Sequence, residues 1–260
     1  YIEDPNSIHP IPPTRFFDQL SYIGDNDVGS FLLETSAGLV LIDCGWPTDD
    51  RVQMIESGIE ALGLRCDDLT CIIVTHGHGD HWGNADHFRE KYGAKIYMSE
   101  IDYNFARDPV KSPRRQLHYQ VFDFLTDGEV LRVGDTEIKA VLTPGHTPGC
   151  LSLIIPVTDE GRPHFAALWG GTGIGRSSKP ERRYAYLSSL YKFREACDSY
   201  GVDVELAVHP FVDNSEQRLA VCRSICNGVP NPYVIGRDAY HRYEDMLFKK
   251  VLDSIDPSEL

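Results

Sequence analysis

Long apolar runs are missing from this sequence. No stretch approaches the roughly 20 consecutive apolar residues that a membrane-crossing helix requires, so no membrane partner is expected. No charged-then-apolar leader is visible, and the chain opens on Tyr1-Ile2-Glu3. The expectation is a soluble protein, either cytoplasmic or exported after removal of a leader. Positive charge is also scarce: 25 Lys and Arg stand against 39 Asp and Glu, a net charge of -14. Such a surface repels phosphate backbones and anionic lipid, which excludes nucleic acid as a partner. Cysteines are few and scattered. Seven are present (Cys44, Cys66, Cys71, Cys150, Cys197, Cys222 and Cys226), an odd number without the close pairs of a zinc ribbon or redox motif. They read as buried apolar filler. Cys222 and Cys226, four apart in an expected helix, lie along one helix face, a poor geometry for a disulfide. Internal repeats and low-complexity segments are absent as well.

What is present is ordinary globular material, 42% hydrophobic and 25% charged, and 260 residues are read as one domain spanning 1–260. Strand signals dominate the opening, at residues 16–23, 29–35 and 39–43, separated by turn-forming Gly24-Asp25-Asn26-Asp27 and Ser36-Ala37-Gly38. This pattern predicts an antiparallel meander. A helix is expected from about Thr48, with Val52, Ile55, Ile59 and Leu62 on one face and Gly63 at its end. A short buried strand at 71–74 then runs into a histidine-rich segment, followed by a helix at 84–92 and a strand at 94–98. Residues 108–120, with two prolines and three basic residues, read as an exposed connection. Further strands are expected at 130–131, 137–142, 150–155, 165–169 and 204–208, and helices at 184–200, 215–225 and 237–252. Strands precede helices in each half, which suggests two sheets packed face to face with helices outside.

The chemistry concentrates in Thr75-His76-Gly77-His78-Gly79-Asp80-His81. Alternate residues of an extended segment point the same way, so His76 and His78 can reach one ion. Asp80 and His81 follow, and glycines at 77 and 79 permit a tight backbone path. A metal site is the reading. His9, His87, His118, His164 and His241 stand in helix, turn or polar contexts where solvated or capping roles are commoner.

The run H-x-H-x-D-H after a strand resembles the signature of the metallo-β-lactamase superfamily. Leu41-Ile42-Asp43-Cys44-Gly45 looks like the family's I-D-x-G motif, Thr143-Pro144-Gly145-His146-Thr147-Pro148-Gly149 like its next histidine motif, and Val208-His209-Pro210 like its last. The resemblance implies an α/β chain folded as an αββα sandwich. It implies two metal ions at one edge between the sheets, one held by His76, His78 and His146 and the other by Asp80, His81 and His209. Zinc is the expected metal, with iron or manganese as the other candidates. Asp43 either orients a ligand histidine or caps the following turn. Many members carry a bridging aspartate in the second half, yet the matching stretch here, Ala167-Leu168-Trp169-Gly170-Gly171-Thr172-Gly173, has no acid. That ligand set resembles the third subclass of class B β-lactamases. The later run Pro230-Asn231-Pro232-Tyr233-Val234-Ile235-Gly236-Arg237-Asp238 resembles uncharacterised hydrolases near that subclass.

The implied activity is hydrolysis by a hydroxide bridging the two metals, with Asp80 both binding and orienting. The expected partner is a small-molecule carbonyl substrate, a cyclic amide first, with a lactone, ester or thioester as the alternative. A di-iron oxidoreductase is disfavoured for want of extra carboxylate ligands, and a non-catalytic metal module by the full ligand set. No G-x-S-x-G nucleophile motif occurs, and Gly170-Gly171-Thr172-Gly173-Ile174-Gly175 lacks the lysine of a phosphate loop and reads as a turn beside the site. Trp46, Trp82 and Tyr119 are candidates for the pocket wall or for core, and oligomeric state is left open.

Overall fold

The computed structural model describes residues 8–112, 116–121, 123–174, 178–224 and 229–255. The opening meander forms, but it starts one strand earlier than the pattern suggests. Strand β1 (Pro10–Arg15) pairs antiparallel with β2 (Leu20–Asp25), and β3 (Gly29–Thr35) and β4 (Gly38–Ile42) continue the meander. Three prolines hid β1. Proline is tolerated on a sheet edge, where its missing N–H breaks no ladder bond, and the register of this pair shifts between Ile11 and Thr14. The expected 16–23 strand is interrupted at its start, where Phe16 and Phe17 both donate their amides to Leu20 O in a turn.

Connections then become right for parallel pairing. Helix α1 (Asp49–Ala61) leads to β5 (Leu69–Ile73), which lies parallel to β4. The short α2 (Gly79–Trp82) and α3 (Ala85–Tyr92) lead to β6 (Lys95–Met98), and α4 (Glu100–Arg107) precedes β7 (Asp123–Phe124). These seven strands lie in chain order in one sheet. Helix α4 had no apolar period long enough to announce it. Its signal was Ser99, whose hydroxyl accepts from the amide of Asp102 at 3.1 Å and so caps the first turn. The end of the expected 108–120 connection is core instead: Leu117 and Tyr119 are buried, and Tyr119 donates to Trp82 O at 3.0 Å. Residues 113–115 of that connection lie outside the described residues.

The second sheet has the order β12-β11-β10-β9-β8, built from β8 (Val130–Val133), β9 (Thr136–Leu142), β10 (Leu151–Asp159), β11 (Arg162–Leu168) and β12 (Val204–Leu206). Helix α5 (Pro180–Tyr200) begins before the expected 184 because Pro180 occupies its first turn, where a missing N–H costs nothing. Helices α6 (Pro210–Asp213), α7 (Ser215–Ser224) and α8 (Arg237–Leu252) complete the chain. Cys226 and the end of the expected 215–225 helix lie outside the described residues.

The strands are apolar on both faces because both faces are covered. In β5 and the residue after it, Cys71 and Ile73 cluster between the sheets with Leu151, Leu153 and Leu168, while Ile72 and Val74 cluster with Ile55, Ile59 and Phe88 outside. On the other side, Ile154 and Ala167 meet Tyr186, Leu190 and Phe193 of α5 and Tyr240 and Leu247 of α8. Helix, sheet, sheet and helix thus form four layers, the expected αββα sandwich. No described helix is long and apolar enough to cross a membrane.

Candidate metal centre

The histidines of the expected site gather on one rim of the sandwich: His76 and His78 follow β5, His81 sits in α2, His146 follows β9 and His209 follows β12. Asp43 follows β4 with a left-handed backbone (φ 58°), an uncommon conformation that short polar Asp tolerates. Its carboxylate is fully buried and spans three groups. It accepts from Thr75 N and from Thr75 Oγ1, both at 2.8 Å, and pairs with His81 Nδ1 at 2.7 Å. Asp43 therefore ties β4 to the loop after β5 and turns His81 so that Nε2 faces inward. Of its two expected roles, the geometry matches the orienting one.

His81 Nε2 is buried, lies 3.3 Å from Asp80 Oδ2 and makes no well-formed hydrogen bond. A buried polar atom without a partner marks a place where something else belongs. His209 Nε2 reaches Asp80 Oδ2 at 3.9 Å, and its other nitrogen, Nδ1, is 2.7 Å from Asp27 O. Asp80, His81 and His209 thus form one three-donor cluster. The second joins His76, His78 and His146. His78 Nδ1 lies 3.2 Å from His76 Nε2 and 3.0 Å from His146 Nε2, while His146 Nδ1 meets Gly173 O and His76 Nδ1 is 3.1 Å from Thr75 Oγ1. In His81, His146 and His209 one ring nitrogen is engaged by a carboxylate or carbonyl, which fixes the tautomer and leaves the other lone pair for an ion. The clusters adjoin, with His76 and His81 ring centroids 3.9 Å apart.

Charge follows burial and neighbours. Burial pushes His78 down to about 4 and His146 down to about 3, and lowers His76 and His209 as well. Neutral imidazoles are the metal-binding form. Burial acts the same way on His81, but the charge and hydrogen bond of Asp43 and the charge of Asp80 outweigh it and hold the ring up at about 10, so an ion bound at Nε2 would displace a proton. For Asp80, burial works upward, while the His81 imidazole 3.3 Å away and the His209 ring hold it well below the usual carboxylate range. Six donors of imidazole and carboxylate type, in two sets of three, suit zinc, and each three-donor set would leave a bound ion an open position.

Two features of the site escaped the sequence. Asp102 of α4 is buried and joins both histidine loops, accepting from Gly77 N at 2.8 Å, Gly149 N at 2.7 Å and Thr147 Oγ1 at 2.5 Å. Burial pushes it up to about 6, against those three hydrogen bonds. Arg182 of α5 donates through Nε to Gly145 O at 3.1 Å and through Nη2 to His146 O. Neither carries a motif, since each acts from a separate helix. The Ser99-x-x-Asp102 cap was the one available hint.

The missing bridging acid also has a structural reason. A Cβ at Gly170 would collide with Leu151 O, and one at Gly171 with His146 Cβ, so the backbone itself packs against the ligand loop here. Other expected candidates go elsewhere. Trp82 and Tyr119 are core below the loop, with Trp82 Nε1 donating to Gly77 O at 3.0 Å. Half-buried Trp46 sits beside Asp27. His87 pairs with Glu56, His164 with Asp203, His9 with Glu216 and His241 with Asp198, while His118 is exposed.

Residues 23–159, which carry the β4, β5 and β9 motifs, match the metallo-beta-lactamase superfamily over more than half of the chain. The chain belongs to that superfamily. Three curated relatives illustrate the range. An uncharacterized protein of Aquifex aeolicus is 29% identical over 132 residues, 45% of this chain and 61% of its own length. Hydroxyacylglutathione hydrolase GloC of Haemophilus influenzae is 29% identical over 192 residues, 70% of this chain and 81% of its own. The probable polyketide biosynthesis zinc-dependent hydrolase BaeB of Bacillus velezensis is 32% identical over 116 residues, 45% and 44% of the two chains. Among solved structures, the FEZ-1 metallo-beta-lactamase of Legionella gormanii superposes with TM-score 0.83 at 24% identity, covering 95% of this chain and 96% of its own. BJP-1 of Bradyrhizobium japonicum, a subclass B3 metallo-beta-lactamase, gives 0.80 at 25% identity, covering 94% and 93%. The sandwich is thus the metallo-β-lactamase fold, as the resemblance implied, and its relatives include hydrolases, one of them named zinc-dependent.

Proposed function

We propose that this metallo-β-lactamase superfamily member is a dinuclear zinc hydrolase that opens a small carbonyl substrate, a cyclic amide before all others. The observation that carries the reading is the pair of adjoining clusters, His76–His78–His146 and Asp80–His81–His209. When bound there, two zinc ions would supply Lewis acidity that makes water a nucleophile near neutral pH and polarises the carbonyl. The chain's own part is positional. Asp43 presents His81 Nε2, Asp27 O presents His209 Nε2, and Gly173 O presents His146 Nε2. Asp80, held far below the usual carboxylate range, is a weak proton acceptor, so its role is to bind and orient rather than to act as a general base.

A thioester is the second reading, favoured by the similarity to a relative named hydroxyacylglutathione hydrolase. Metal content measured beside a substrate panel separates the two. The zinc-loaded protein is expected to turn over a chromogenic cephalosporin; no β-lactam turnover sinks the cyclic-amide reading, and turnover of acylglutathione thioesters alone installs the other. Asp80→Ala is expected to abolish nearly all hydrolysis, on the order of a thousandfold loss in kcat or more, and retained activity contradicts the assignment.

A further inference from the structure

His209 stands at the middle of a loop whose two ends are fastened by one side chain. Glu205, four residues before it, lies in β12, which pairs with β11, and Asp213, four residues after it, ends α6. Both carboxylates are buried. Asn214 then takes a left-handed backbone (φ 58°), and the reversal leads into α7, from which Arg218 reaches both acids. Its Nη1 lies 2.8 Å from Glu205 Oε2 and 3.5 Å from Asp213 Oδ2. The guanidinium carbon stands 5.3 Å from the Tyr233 ring centroid, a cation–π contact that adds a third hold on the arginine. Asp213 is fixed in turn by Ser215, whose amide and hydroxyl donate to Oδ1 at 2.9 and 2.5 Å. Burial pushes both carboxyls upward, and the Arg218 charge works against it, so the guanidinium is what favours ionised partners in this interior.

We propose that Arg218 is a positioning residue for the metal ligand His209, clasping Glu205 and Asp213 so that the loop between them holds the His209 ring beside Asp80 and His81. The proposal rests on the ligand assignment above. None of the three clasp residues belongs to either donor cluster, so their effect on an ion passes through the backbone of 205–213. The middle of that span is tied to the opening meander, with Gly29 N donating to Val208 O at 2.8 Å and His209 Nδ1 lying 2.7 Å from Asp27 O. These two ties orient the ring only while the loop keeps its register, and the clasp closes the span on which that register depends. Arginine suits the task because its charge is permanent and its planar fork serves two carboxylates at once.

The first arm of the test needs no metal. Long-range proton–nitrogen correlation spectra of the metal-free protein near neutral pH read the His209 tautomer. The parent is expected to carry its proton on Nδ1, facing Asp27 O, and Arg218→Gln to show a mixture. The second arm measures zinc affinity by competition with a chelating dye. Arg218→Gln is expected to weaken the Asp80–His81–His209 step about tenfold or more and to leave the other step unchanged. Arg218→Lys, which keeps the charge, should recover most of the loss. Arg218→Gln strands two buried carboxylates, so the neutral triple variant Glu205→Gln/Asp213→Asn/Arg218→Met, which leaves no charge unpaired, is measured beside it and should show the same selective loss. Leu247→Ala, a core truncation in α8, lowers stability without touching the loop and should change neither tautomer nor affinity. A parent-like tautomer and affinity in the triple variant, or an equal loss in Leu247→Ala, overturns the proposal. A parent that takes up no zinc defeats the ligand assignment instead, and the tautomer arm still decides whether Arg218 orients the ring.

Discussion

At the scale of single residues, the site depends on groups that never need to touch an ion. His81 presents one nitrogen inward because Asp43 takes the other, at 2.7 Å, inside a fully buried pair. Partners of this kind typically govern metal affinity by ~10–100-fold. Asp43→Asn keeps the shape and weakens the acceptor. The expected result is a loss of ~10–100-fold in affinity at the Asp80–His81–His209 cluster, with the His76–His78–His146 cluster much less affected. Competition against a chelating dye, read as two stoichiometric steps, measures both. Equal weakening of both steps would show that Asp43 holds the rim as a whole rather than one ring.

Between elements, buried carboxylates decide how helices meet the sheets. Asp102 lets α4 hold the loop after β5 and the loop after β9 together through three donors. Removing it strands Gly77 N, Gly149 N and the Thr147 hydroxyl in the interior. Asp102→Ala is therefore expected to cost on the order of 3 kcal/mol. That is a fall of roughly 10 °C in melting temperature, measurable by calorimetry. Glu244 gives the opposite case. It lies buried between α8 and α5, 3.5 Å from Arg194 Nε, and burial pushes it up from 4.5 to about 8. Below pH 4.5 the group is protonated folded or unfolded and costs nothing; as pH climbs toward 8 the unfolded chain releases the proton first, and the fold loses stability. Glu244→Gln is expected to melt increasingly above the parent as pH rises through that window. A gap that stays constant with pH would show the pair with Arg194 already balances the burial.

For the molecule as a whole, we propose that residues 1–260 form one domain. The core between the sheets draws on both halves of the chain, and the rim is tied across the sheets by Leu151 N to Thr75 O and Gly29 N to Val208 O, each at 2.8 Å. A ligand that binds only the folded state adds stability in proportion to the logarithm of its concentration. The zinc-loaded protein is accordingly expected to unfold in one calorimetric transition, whose midpoint falls on chelation and recovers as zinc is restored. Two resolved transitions would divide the chain, and a midpoint indifferent to chelation would remove metal from the account of its stability.

Legibility in the sequence followed locality. The run from His76 to His81 and the motifs around Asp43, His146 and His209 are each a few adjacent residues, and the layered packing was signalled by strands that precede helices in each half. Elements whose signals were diluted went unread: β1 because three prolines mask a strand that only an edge position permits, and α4 because a two-turn helix rests on one capping serine. By itself the sequence determined which candidate donors are present, which fold they resemble, and that the stretch from Ala167 to Gly173 carries no acid. Only the tertiary structure decided the rest. Asp102, Arg182 and the carbonyls of Asp27 and Gly173 act across long stretches of chain, and contacts between distant segments leave no periodicity behind.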